Sequence, residues 1–137
     1  MMRWHEEYLG KPWAHNPNPP LSFNCGELLR HIYKKYCGYD APIILADTRS
    51  MRSCIRDVSN LRRYYSNFVP VDIPQDFDFA VMSRGGPADH VGLYVGGDIL
   101  HCLPKVGVAL DSAFALGVMG WHKITYLHPE GLTPCVP

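Results

Sequence analysis

Residues 89–103 hold the feature that most restricts how this chain can fold. Asp89-His90-Val91-Gly92-Leu93-Tyr94-Val95 and Asp98-Ile99-Leu100-His101-Cys102-Leu103 are two strand-like runs separated by Gly96-Gly97. Two glycines between such runs predict a β-hairpin, and so an antiparallel sheet at the centre of the domain. If the two glycines fill the loop, Gly92 lies opposite His101 and His90 opposite Leu103. His90 and His101 then share a face as diagonal neighbours, about 7–8 Å apart at the backbone. The pairing is conditional on that loop, because a longer one changes which residues face each other.

A second constraint lies upstream, in Phe23-Asn24-Cys25-Gly26-Glu27-Leu28-Leu29. Asn24 can cap a helix, and Glu27 three residues on completes a capping-box pattern. Leu28, Leu29, Ile32, Tyr33 and Tyr36 recur at helical spacing, which predicts a helix from Cys25 to Cys37 with one buried face and a stop at Gly38. A thiol in the first turn meets unpaired backbone N–H groups and the positive end of the helix dipole, both of which favour thiolate. Cys25 is therefore the candidate nucleophile, His90 the candidate base for its proton, and His101 the group that orients His90. A buried cysteine or a lone histidine taken singly reads as packing; their joint occurrence carries the assignment. His5, His15, His31, His122 and His128 lack such a context and are assigned to surface or packing. Cys25, His90, His101 and Cys102 are all zinc-ligand types, but adjacent His101 and Cys102 point to opposite faces of a strand. No metal and no organic cofactor is expected.

The rest of the chain fits around these two pieces. Met2 to Leu9 reads as a short helix with Trp4 and Tyr8 on one face, and the proline-rich segment from Lys11 to Pro20 as a rigid loop leading into the cysteine helix. Ile43-Ile44-Leu45 is apolar, and Ser50 to Phe68 reads as a helix whose Arg49, Arg52, Arg56 and Arg63 fall away from its core face. Val69 to Pro74 breaks that helix. A strand over Phe77–Met82 then pairs with the His90 strand through a turn at Arg84–Pro87, and Gly107–Leu110 follows as a further strand. Asp111 to Gly120 is a short helical or loop passage, Trp121–Leu127 closes the sheet, and residues 128–137 read as a flexible tail. Helices first and an antiparallel meander after them predict an α+β domain, one unit over residues 1–137.

Composition narrows the function classes. Hydrophobic residues make up 47% and charged residues 19%, values of a globular rather than a disordered chain. A formal net charge of zero and a pI near 7.0 remove the electrostatic basis for a nucleic-acid or anionic-membrane partner. Five scattered cysteines without a Cys-x-x-Cys pair do not read as a disulfide framework. The first residues are too polar for a signal peptide and no apolar run approaches a membrane span, so synthesis in the cytoplasm is expected.

On these residues the chain resembles the NlpC family of papain-like cell-wall cysteine peptidases. The family signature, Asp-Cys-Ser/Trp-Gly-Leu opening a helix, corresponds here to Asn24-Cys25-Gly26-Glu27-Leu28. Its His-Val-Gly-Ile-Tyr strand corresponds to His90-Val91-Gly92-Leu93-Tyr94, and its third polar residue to His101. The segment Tyr8-Leu9-Gly10-Lys11-Pro12-Trp13 is similar to that of phage and prophage members. The resemblance implies a papain-like core in which the cysteine helix packs on the antiparallel sheet, with Cys25, His90 and His101 as catalytic residues. It also implies oxyanion or substrate contacts from Trp13, in the place of a family tyrosine, and from Asn24. The implied activity is hydrolysis of amide bonds in peptidoglycan stem peptides, between D-glutamate and a diamino acid, at the cell wall and with phage tail proteins as partners. A CHAP-like amidase shares this chain order, whereas permuted acyltransferases place histidine before an Asn-Cys pair. A non-catalytic tail-assembly or wall-binding module is the other alternative. Asn24 departs from the family aspartate, keeping the cap while removing a charge beside the thiol, and Glu27 returns a carboxylate to the first turn.

Overall fold

The computed structural model describes residues 3–40 and 67–131. It begins with a 3-10 turn over Trp4–Tyr8, shorter than the expected helix, and continues through the proline-rich loop into helix α1, Cys25–Cys37. Among the described residues six strands follow: β1 (Phe68–Val71), β2 (Phe79–Ser83), β3 (Ala88–Val95), β4 (Asp98–Leu103), β5 (Gly107–Asp111) and β6 (Lys123–Pro129). A short helix α2, Ala113–Val118, lies between β5 and β6. The strands form one antiparallel sheet in the order β1-β6-β2-β3-β4-β5, and α1 packs on β3 and β4. This is the α+β arrangement that the sequence predicts.

Helix α1 forms where the sequence places it. The Asn24 side chain accepts the Glu27 amide at 2.8 Å, and Gly38 closes the helix in the left-handed region at φ 63°. Its Leu28, Leu29, Ile32 and Tyr33 are fully buried against Phe79, Val91, Leu93 and Leu100 of the sheet. Each such aliphatic side chain contributes on the order of 1.5–3 kcal/mol through its removal from water. The Tyr33 hydroxyl donates to the Phe77 carbonyl and ties the helix to the entrance of β2. Strand alternation sends Ala80, Met82 and Ile99 to the other face, where they pack with Leu116 of α2 and Trp121.

The hairpin of β3 and β4 has the expected two-residue loop. Gly96 and Gly97 both have positive φ, 58° and 97°, and Val95 pairs with Asp98, Tyr94 with Ile99 and Leu93 with Leu100. Gly92 could carry no side chain, since a Cβ there would stand 2.6 Å from Ile99 Cγ2 and 2.9 Å from the Leu100 carbonyl oxygen. At the far edge, the Gly10 amide donates to Val108 and the Val108 amide to Lys11, so the N-terminal segment adds a short rung to β5. Gly107 has φ 85°, and a Cβ there would meet the Lys11 carbonyl oxygen at 2.4 Å.

Several boundaries differ from expectation. Phe68–Val71 is a strand rather than a helix end and a break, because as the edge strand of the sheet it can place Pro70 where no ladder hydrogen bond is needed. Strand β6 begins two residues after Trp121 and runs to Pro129. His128 and Pro129 therefore belong to the sheet and not to a tail, and His128 Nδ1 lies 2.6 Å from buried Asp78. Cys37 is disulfide-bonded, which the scattered cysteine spacing does not reveal because pairing depends on how closely two Cα atoms approach. The expected apolar piece at residues 43–45, the helix up to residue 66 and the tail beyond residue 131 lie outside the described residues.

Candidate active site

The site is built on a diagonal across β3, β4 and β5. The observed hairpin register puts His90 and His101 two residues out of step on one face, and their rings meet with Nε2 of His90 3.0 Å from Nδ1 of His101. Across the next strand pair His101 faces Ala109, so Asp111 takes the corresponding diagonal position. Its Oδ2 lies 2.7 Å from His101 Nε2. A carboxylate can only accept, so His101 carries its proton on Nε2 and presents a lone pair at Nδ1. His90 must then donate from Nε2, which leaves its Nδ1 as the basic nitrogen. Among the described residues that Nδ1 makes no hydrogen bond.

Both rings are deeply buried, His90 at 6% and His101 at 0% exposure. Burial, followed by the neighbouring His101 and the charge of Arg84, holds His90 well below the usual histidine pKa. His101 is lowered mainly by burial, against which the Asp111 hydrogen bond and charge pull upward. At neutral pH both imidazoles are therefore neutral, the state in which one can take up a proton.

Cys25 opens α1 at 6% exposure and is not in a disulfide, with Asn24 as its capping neighbour. The start of α1 is held against the histidine strands, since the Cys102 thiol donates to the Phe23 carbonyl at 3.4 Å, one residue from His101 and two from Cys25. Cys102 itself is a packing thiol whose burial pushes its pKa up to about 12. It lies in the α1-side core, while His101 faces Trp121, the opposite placement that alternation requires. Trp13 pairs with Phe23 in an isolated parallel bridge: Phe23 N–H donates to Pro12 O and Ala14 N–H to Phe23 O, both at 3.0 Å. This half-buried tryptophan is thereby fixed beside the turn that precedes Cys25. Glu27, the first-turn carboxylate, is engaged by Arg30 at 2.8 Å.

Two residues of the cluster are not among those singled out from sequence. Asp111, which the sequence reading puts just past the strand Gly107–Leu110, is the last residue of β5, and the strand's alternation aligns it with His101. Trp121 packs on His90 with ring centroids 4.6 Å apart and planes at 17°. The sequence places it at the start of the last strand, and no local pattern points to that stacking.

No protein-family model matches the chain, and no curated protein matches it either. Among solved structures, the crystal structure of the NlpC/p60 domain of the peptidoglycan hydrolase SagA is similar, with a TM-score of 0.57 and 17% sequence identity. The match covers 88% of this chain and 90% of that one. The helix that opens on Cys25, packed on an antiparallel sheet carrying His90 and His101, thus has the α+β architecture of the NlpC/p60 domains.

Proposed function

We propose that the protein is a cysteine hydrolase of amide bonds in peptidoglycan stem peptides. The observation that carries this reading is the ordered chain Asp111, His101, His90, carried on strands of the sheet on which the helix that begins with Cys25 packs: it leaves one basic nitrogen, Nδ1 of His90, with no partner among the described residues. The SagA domain, a peptidoglycan hydrolase of similar fold, supports the substrate class. The D-glutamyl to diamino acid bond follows from the motif resemblance, as does a phage or prophage setting.

In the proposed reaction Cys25 gives its proton to His90 Nδ1 and its sulfur attacks the amide carbonyl carbon. The oxyanion is met by the backbone N–H of Cys25 and the indole N–H of Trp13, while Asn24 holds the helix start in place. Collapse breaks the C–N bond, and the His90 proton passes to the leaving amine. Water, deprotonated by His90, then hydrolyses the thioester and returns the thiol. His101 and Asp111 keep His90 in the tautomer that this sequence of transfers needs.

The test is release of free amine from purified stem peptides by wild type and Cys25→Ala. Activity in the wild type and none in the folded variant is expected; equal rates in the two would refute the mechanism. His101→Ala is expected to slow the reaction less than His90→Ala, because it removes orientation and not the base itself.

A further inference from the structure

Trp121 sits outside the strands, yet it is 5% exposed and engaged on several sides. Its ring stacks on His90, and it meets His101 edge-on with centroids 6.4 Å apart at 88°. The Arg84 guanidinium lies 4.2 Å from its centroid, within cation–π range. Its indole N–H donates to Asp89 Oδ1 at 2.9 Å, and Arg84 Nε lies 3.4 Å from the other oxygen of that carboxylate. Arg84 also reaches the Met119 carbonyl at 3.4 Å. Thus the β2–β3 turn, the first residues of β3 and the segment after α2 all converge on one indole. A histidine held only by its single Nε2 hydrogen bond could still swing about that bond; a ring stacked at 17° cannot do so without leaving the indole.

We propose that Arg84, Asp89 and Trp121 form a positioning clamp for His90, in which the indole fixes the plane of the imidazole and the Arg84–Asp89 pair fixes the indole. The inference rests on the reading of His90 as the base for Cys25, and it adds the means by which Nδ1 is kept aimed. The clamp also has a sign. Arg84 brings a positive charge to the cluster and opposes a second one on His90, as does His101 when protonated. Asp89 on the same strand partly offsets Arg84, and Asp111 acts on His90 only through His101.

Histidine ring NMR tests this without substrate. In the wild type the His90 C–H signals are expected to lie upfield, because the ring is over the indole face. Trp121→Leu is expected to move them downfield, Trp121→Phe to retain most of the shift, and Arg84→Gln to reduce it and raise the pH at which His90 titrates. The Arg84 side chain is 49% exposed, so its variant is expected to fold even where a Trp121 variant does not. In the same proteins kcat is expected to fall by up to about a hundredfold with little change in KM. His90 signals unmoved in both Arg84→Gln and Trp121→Leu overturn the clamp. Signals that move while kcat stays at the wild-type value overturn its positioning role. Absence of Cys25-dependent hydrolysis in the wild type refutes the hydrolase reading instead, and the spectra still decide whether the clamp exists.

Discussion

Asp111→Asn is the sharpest perturbation of the proposed relay, because it changes one atom and no volume. In the wild type the carboxylate can only accept, which forces the proton of His101 onto Nε2 and that of His90 onto its own Nε2. An asparagine amide can also donate. When it does, His101 accepts at Nε2, carries its proton on Nδ1 and donates to His90, whose proton then moves to Nδ1, the atom that must be free to receive the thiol proton. The 2.7 Å contact is a charge-assisted hydrogen bond of a largely buried pair, with His101 at 0% and Asp111 at 24% side-chain exposure. Such bonds are worth about 1.5–3 kcal/mol, or roughly 10- to 100-fold in rate. Hydrolysis of stem peptides is therefore expected to slow by that factor in kcat with KM nearly unchanged. Long-range proton–nitrogen NMR is expected to show protonated Nδ1 on His90. Wild-type kcat together with an unchanged His90 tautomer would refute the argument that Asp111 sets the proton positions.

Three further outcomes are expected. Asn24→Ala removes the acceptor of the Glu27 amide and should cost about 1 kcal/mol, read as a fall in Tm of about 3 °C. Gly107→Ala places a Cβ against the Lys11 carbonyl at positive φ and should cost about 1–3 kcal/mol in urea unfolding, with exchange protection lost at Val108 and Gly10. His31, His90 and His101 all have folded pKa values below the unfolded one of about 6.5, so the unfolded chain binds protons first on acidification. Stability should be flat between about pH 7 and pH 8 and fall as pH drops below about 6.5, as denaturation midpoints across that range will show.

What the sequence revealed and what it withheld divide along the reach of the interactions. The α1 bounds and its cap were legible because Asn24, Glu27 and Gly38 act within a turn of the residues they govern. The pairing of His90 with His101 was legible because two glycines fix a register. Asp111 escaped because the β4–β5 connection turns through Pro104-Lys105-Val106 with Lys105 at φ 67°, a conformation that its residue type does not announce. Trp121 escaped for a different reason: its partners Arg84, Asp89 and His90 lie more than thirty positions away, and stacking leaves no periodic trace. Pro70 misled in the other direction, since a proline ends a central strand but not an edge one.

The rung that Gly10 and Lys11 add to β5 covers part of an exposed sheet edge, the kind of surface on which chains pair with one another and aggregate. The same segment runs two residues further to Trp13, whose bridge to Phe23 sets the approach to Cys25. One strap therefore covers a sheet edge and holds the turn before Cys25 together. A change that peels it away is expected to expose that edge and release the approach to Cys25 in a single event, so damage to this segment should present first as precipitation.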